Sequence, residues 1–377
     1  MNPKRARIIV STALAAILVV FLFERLIPGI SSRQPSYESF ELLRNVILLA
    51  RDHYIEEPKA DSTMKGALKG LVDSLDTLSC YLDKESALRY NRHNDPHLND
   101  PGIILYKRYG SFPQVIGVIE KSPAEKSGIQ LGDIISALDD QPTRMMSMIE
   151  THLYLKEKDR KTVKLRILRG TQTQELTVER TTLFEAPFSF RSTERTNGIL
   201  TIHKLYPPCV KKIKDDIIPK IKPSEYPLIL DLRNCYEGDV EEARKLINLF
   251  LQAPQIGYFA KKGDHRTPLG CIDKADLERL PLIVWTNQAT LGAAEIVAAV
   301  LKKFKRAKIV GLSTPGLTAR QNFFSLEDGS GLLLTTEIFY LSSGEKVWEN
   351  GVKPDVAIKL TDQNFETYLK KSFSTQS

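Results

Sequence analysis

Three short apolar runs separated by amphipathic helices constrain the C-terminal half more than any other feature. Residues 228–232 read LILDL, 282–286 read LIVWT and 308–312 read KIVGL. Such runs suit strands buried on both faces of a sheet. Between the first two lies DVEEARKLINLFL (239–251), with acids in its first turn and Val240, Ala243, Leu246, Ile247 and Phe250 on one helical face. Between the second and third lies GAAEIVAAVLKKFKRA (292–307), whose terminal Lys302, Lys303, Lys305 and Arg306 complement the helix dipole. Strand–helix–strand–helix–strand implies a mainly parallel sheet with right-handed crossovers, an α/β fold. A strand and turn, GLLLTTEIFYLSSG (331–344), follow.

Upstream the pattern changes. Residues 100–183 carry the signals of a small β-rich domain. In SPAEKSGIQLGDIISALDD (122–140), Ser122 can cap a short helix, Pro123 can open it, Glu125 completes a capping box and Gly128 can end it in the left-handed conformation. A longer helix is predicted at about 143–156, then two strands, KTVKLRILRG and QELTVERTTL, joined by a turn at Gly170. Residues 37–91 read as helical: Leu42, Val46, Ile47 and Ala50 form one stripe, and a second helix over 62–75 has Ser62 as its cap. The polar stretch NRHNDPHLNDPG (91–102) marks a boundary. The expected division is 1–29, 30–95, 96–183 and 184–377, with no internal repeat, GxGxxG motif or P-loop.

The N-terminus predicts a membrane anchor. Lys4, Arg5 and Arg7 precede 16 apolar-rich residues, Ile8–Phe23, short of the roughly 20 of a typical spanning helix but extended by Leu26 and Ile27. No A-x-A cleavage site follows, which favours an uncleaved, single-pass signal anchor with its basic end in the cytoplasm. The bulk of the chain is then expected in the periplasm or an equivalent extracytoplasmic space. A net charge of +7 is spread along the chain, with no basic helix interleaved with aromatics, which argues against nucleic acid as a partner. Cys80, Cys209, Cys235 and Cys271 form no CxxC and have no histidine at metal-ligand spacing. They read as separate thiols, and no metal or cofactor is expected.

The phrase SPAEKSGIQLGDIISALDD resembles the signature of PDZ domains. That resemblance implies capture of free peptide C-termini by strand addition, with the carboxylate held by backbone N–H groups near Gly102, Ile103 and Ile104. The groove is then expected between the strand after Gly102 and a helix near Met145–Leu155. Met145, Met146 and Met148 would offer soft contacts there, although at least one of them is expected to fill the domain core.

The rest of the chain is similar to the C-terminal processing peptidases, or tail-specific proteases. GLVDSLDTLSCYLD (70–83), LILDLRNCYEGDVEEARKLINLFL (228–251) and LEDGSGLLLTTEIFYLSSGEKVWENGVKPDV (326–356) carry the likeness, in the family's order. The fold it implies is a ClpP/crotonase-like α/β protease core with an inserted PDZ domain and a helical N-terminal segment behind the anchor. Those enzymes use a serine nucleophile that opens a helix and a lysine base whose pKa is lowered by burial. Aligning NQATLGAAEI (287–296) places Gly292 at the nucleophile position. Aligning TPGLTARQ (314–321) places Leu317, 25 positions later, at the lysine, with Gln321 as the retained accessory glutamine. The family's Pro- and Gly-rich oxyanion turn reads Cys235-Tyr236-Glu237-Gly238 here, with Gly238 as its remnant. Tyr236 and Glu237 are either loop residues or fillers of that pocket. Thr290 reads as a helix-entry hydroxyl rather than a displaced nucleophile, and His203 has no evident triad partner.

The expected function is therefore that of a catalytically inactive, membrane-anchored relative. It would bind protein C-terminal tails or unstructured polypeptides, regulate a partner protease, or pair with itself. The alternative is an active serine endopeptidase with relocated groups. A third reading is a membrane subunit whose PDZ groove is unused.

Overall fold

The computed structural model describes residues 37–57, 59–93, 98–158, 160–183, 186–193, 196–222, 225–359 and 368. The expected anchor, residues 1–29, lies outside them. Among the described residues no helix is long and apolar enough to cross a membrane. The chain divides into units 1–64 and 65–377. The first holds helix α1 (Tyr37–His53), and α2 (Ala60–Asp73) crosses the boundary.

Strand β1 (Cys80–Leu82) and helix α3 (Lys84–Asn91) follow, with Asp83 capping α3 through the Ser86 N–H. β1 pairs antiparallel with residues 331–333, so the N-terminal segment is stitched to the C-terminal block.

The middle domain contains β2 (Ile103–Tyr106), β3 (Gln114–Val118), α4 (Pro123–Lys126), β4 (Ile134–Leu138), β5 (Gln141–Pro142), α5 (Met148–Leu155), β6 (Thr162–Arg169) and β7 (Gln172–Glu179). Its sheet runs β2-β3-β4-β6-β7, with β5 on β4. Ile103, Leu105, Val115, Ile135, Leu165 and Val178 fill its core. Ser122 caps α4 as its sequence predicts, but Glu125 reaches back to the Lys121 N–H. Gly128 has φ +81°, the left-handed stop. The continuous helix predicted over 143–156 is broken. Thr143–Met145 form a 3-10 turn, and Ser147 then starts α5 with a reciprocal capping box to Glu150. The Ser147 side chain occupies the N–H group that an uninterrupted helix would bond to a carbonyl.

The core begins with β8 (Phe188–Thr193), β9 (Thr196–Ile202) and α6 (Cys209–Asp216). It continues through β10 (Leu228–Asp231), α7 (Val240–Asn248), β11 (Ala253–Lys261), β12 (His265–Cys271), β13 (Leu282–Thr286) and α8 (Ala293–Lys303). It ends with β14 (Lys308–Gly311), β15 (Ala319–Ser325), β16 (Gly331–Leu341) and β17 (Val356–Ala357). One sheet runs β17-β14-β13-β10-β9-β8. All its pairs are parallel except β8 with β9, as the apolar runs require. A second, antiparallel sheet joins β1, β16, β11 and β12, with β15 on β16. Phe250, Ile296, Val300 and Phe339 lie in the large cluster that includes α7 and α8. On the other face Trp285 meets Tyr368 edge-on at 4.9 Å, and the Arg233 guanidinium sits 4.8 Å above Trp285 while bonding Asp231. All four cysteines are buried and unpaired.

Ser147→Ala should lower thermal stability by about 1 kcal/mol, the usual cost of a lost cap, while Ser147→Asn should keep most of it. Equal melting midpoints for wild type and Ser147→Ala would remove the cap from the account of why α5 starts there.

Candidate functional site

Gly292 sits at the sharp junction between β13 and α8, with φ +55° and ψ −114°. Glycine takes that conformation without a Cβ penalty. Nucleophile elbows also use a strained strand-to-helix turn of this kind to expose a side chain. A Cβ at Gly292 would meet only the Leu317 carbonyl oxygen, at 3.8 Å. The position therefore has room for a side chain and presents none.

Leu317 lies opposite because both residues hold the same carboxylate. The Gly292 N–H donates to Glu295 Oε2 at 3.0 Å and the Leu317 N–H to the same oxygen at 2.7 Å. The Gly316 N–H takes Oε1 at 2.6 Å. Glu295 is fully buried. Burial pushes its carboxyl up to about 7, against the opposing pull of Thr314 and the three backbone N–H groups. The Leu317 side chain joins a buried cluster with Leu78, Leu291 and Trp348 of the surrounding core and Ile104 and Ile116 of the middle domain. Gln321, on β15, donates from Nε2 to the Leu78 carbonyl at 2.6 Å and so fixes the segment entering β1.

The other nucleophile and base candidates are engaged structurally. The fully buried Thr290 hydroxyl donates to the Leu232 carbonyl at 2.8 Å and accepts the Asn287 N–H at 3.0 Å. This is the helix-entry role expected of it. Lys302 pairs with Asp355 and Lys303 with Glu345. His203 lies 3.1 Å from the Ser189 hydroxyl, at the end of β9.

The altered turn reaches outward to the middle domain rather than into a pocket. The Tyr236 hydroxyl donates to Asp100 Oδ2 at 2.9 Å. Burial and the Asp100 charge hold that phenol well above its ordinary range, so it keeps its proton and donates. Glu237 pairs with Lys156 and, at 3.3 Å, with Lys204. Asn234 Nδ2 donates to the Val118 carbonyl at 3.3 Å, while Asn287 Nδ2 donates to Asn234 Oδ1 at 2.8 Å. Gly238 is enclosed: a Cβ there would lie 2.8 Å from Leu205 Cβ. Gly117 on β3 marks the closest approach, since a Cβ would fall 2.7 Å from Ala289 Cβ and 2.9 Å from Asn234 Oδ1.

The expected peptide-binding residues are dispersed. Gly102 has φ +89°, and its N–H donates to Asp100 Oδ1 at 2.7 Å. Ile103 belongs to the middle-domain core, whereas Ile104 belongs to the cluster around Leu317. Along the same strand the Leu105 N–H approaches His152 Nε2 at 3.4 Å, and burial lowers that imidazole to about 4, leaving it neutral. Met148 is buried, Met146 is half-buried and Met145 is 67% exposed. All three methionines line a cavity of about 380 Å³ beside α2. Sequence reasoning missed the holding role of Glu295, although a Glu three residues into a helix is a legible capping signal. The Tyr236 and Glu237 contacts had no local signal.

Two outcomes test this geometry. Glu295 has a raised folded-state pKa, so its stabilising contribution is complete below its ordinary range near 4.5 and is lost as pH rises through about 7. Wild type should lose up to about 1.4 kcal/mol per pH unit across that window relative to Glu295→Gln, compared by urea unfolding at each pH. Parallel pH profiles would contradict it. Gly117→Val should leave helix content intact while speeding hydrogen exchange in β3 and the 287–291 loop, because the two backbones must separate. Unchanged exchange there would count against the close approach.

Comparison with known proteins agrees with this architecture. Residues 209–358 match the peptidase family S41 model and residues 97–179 match a PDZ domain model. A probable CtpA-like serine protease of Staphylococcus aureus (strain COL) is 25% identical over 354 residues, covering 93% of this chain and 70% of that protein. The carboxy-terminal processing protease CtpA of Bacillus subtilis (strain 168) is 26% identical over 368 residues, covering 96% and 78%. The photosystem II D1 C-terminal processing protease superposes with a TM-score of 0.70 at 21% identity, over 85% of this chain and 87% of that one. The S41 core, the PDZ domain and these relatives together support a C-terminal processing peptidase family for the chain.

Proposed function

We propose that this chain is a pseudoprotease of its family. In this reading it binds the free C-terminal tails of other polypeptides through its PDZ domain, for capture or to regulate a partner protease, and does not cut them. Its N-terminal apolar run anchors it in the cytoplasmic membrane, with the PDZ domain and the core on the periplasmic side.

The observation that carries the reading is the pairing of Gly292 with Leu317 around Glu295. Glycine has no atom with which to attack a carbonyl, and leucine cannot take a proton. Removing the nucleophile from a serine protease costs on the order of a million-fold in turnover. The side chains of Tyr236 and Glu237 add to this, since both are bonded to the PDZ domain at the turn that the family resemblance implies would serve an oxyanion.

The full chain should not cleave casein or unstructured tagged polypeptides above background. Gly292→Ser combined with Leu317→Lys should stay inactive, because the turn at Cys235–Gly238 is also changed. Cleavage by wild type that Thr290→Ala abolishes would instead establish the active endopeptidase. Calorimetry should show tail binding near −8 kcal/mol or weaker, as befits a short added strand.

A further inference from the structure

Gly66, Lys69, Gly70 and Asp73 recur at i, i+3, i+4 and i+7 of α2, one face of the helix. Glycine inside a helix costs about 1 kcal/mol relative to alanine. Neither glycine is required by a close neighbour. A Cβ at Gly66 would meet nothing within 4 Å, and one at Gly70 only the Tyr109 hydroxyl, at 3.5 Å. What the two glycines leave open is the floor of the cavity of about 380 Å³, a volume in the range of ligand pockets.

The far wall is built from the β2–β3 loop and the 3-10 turn before α5. Lys107 is 4% exposed, and its ammonium donates to the carbonyls of Ser111 at 2.6 Å and Arg144 at 3.1 Å. Arg108 and Arg144 stand exposed at the rim beside Met145 and Tyr109, which are 67% and 61% exposed. The carboxylates nearby are mostly committed. Asp76 accepts the N–H groups of Leu78 and Ser79 and the Ser79 hydroxyl. Glu150 is paired with Lys69 at 2.5 Å and caps α5 through the Ser147 N–H. Lys69, Lys107, Arg108 and Arg144 against Asp73, Asp76 and Glu150 leave one net positive charge.

We infer that this cavity is a second ligand site, one that takes a single carboxylate carried on an apolar body: the free end of an apolar peptide tail. The single surplus charge suits a monoanion. Methionine and tyrosine walls suit an aliphatic terminal side chain, and a dianion would meet the carboxylate of Asp73. The site lies at the Lys107 end of β2, whereas the PDZ carboxylate loop lies at the Gly102 end. It rests on the proposed function only for the source of the ligand.

The test uses the full chain with its methionine methyl groups labelled with carbon-13, and an acetylated pentapeptide ending in valine. The free acid should shift the Met145 and Met146 methyl resonances, and its amide should bind about tenfold more weakly or less, having lost the charged acceptor. Gly66→Leu fills the floor without touching the Gly102 loop. It should abolish those shifts while leaving the melting temperature unchanged or higher. Arg144→Glu, at an exposed rim position, should weaken the acid about tenfold in a folded protein. Equal affinity for acid and amide, or shifts that persist in Gly66→Leu, would overturn the site. Isovalerate binding as tightly as the peptide would overturn its assignment to a tail. Calorimetric binding that survives Gly66→Leu, with no methyl shift in wild type, removes the cavity and keeps the PDZ groove. Heat that vanishes entirely in Gly66→Leu keeps the cavity and removes the groove. No heat and no shift removes both.

Discussion

The Glu295 carboxylate organises the candidate site. It is fully buried and held by the backbone N–H groups of Gly292, Gly316 and Leu317. Three buried N–H groups without an acceptor would each cost about 1–3 kcal/mol, so the carboxylate and the two segments are committed to one another. At positions 292, 316 and 317 the donors are main-chain N–H groups, with a Thr314 side-chain bond beside them. The apposition of positions 292 and 317 is therefore independent of which side chains stand there. Neither a serine nor a lysine side chain is needed to bring the two positions together.

Much of the fold was readable because it rests on local patterns. The strands at 228–232, 282–286 and 308–312 are apolar on both faces because the parallel sheet is covered on both faces, so their signal survives without context. Ser122–Gly128 is equally local. The helix predicted over 143–156 failed at Ser147, where a side-chain cap restarted the chain, a competition that apolar spacing does not register. Strands β11 and β12 left no clear signal. Their residues are mixed in polarity, and their register is set by β16, far along the chain.

The candidate site was legible only through the family resemblance of two short segments, 287–296 and 314–321. That resemblance implied that Gly292 and Leu317 face one another, and the shared Glu295 carboxylate accounts for why they meet. The roles of Tyr236 and Glu237 were not legible. Tyr236 bonds a residue 136 positions away, and Asn234 a carbonyl 116 positions away. No local pattern encodes such partners. The methionines show the same limit. Met145, Met146 and Met148 look like one soft surface in sequence, but the break before Ser147 leaves the first open, the second half-covered and the third in the core.

The seam between the PDZ domain and the core bears directly on tail binding. Just before β2 the Gly102 N–H is satisfied by Asp100, and on β2 the Leu105 N–H faces His152 while Ile104 is buried in the cluster that contains Leu317. A tail adding to this strand exchanges existing hydrogen bonds for new ones, so the exchange itself yields little free energy. Its gain must come from apolar side chains, and Ile104, one of the expected contacts, is already packed in the cluster around Leu317. Asp100 accepts from Gly102 through one oxygen and from Tyr236 through the other. A tail carboxylate that replaces Asp100 at Gly102 therefore also perturbs the contact to the Cys235–Gly238 turn. Apparent affinity then equals the intrinsic affinity reduced by the fraction of molecules in which the seam is open. Tyr236 and Glu237 thus couple the state of the PDZ strand to the Cys235–Gly238 turn through side-chain bonds across the seam.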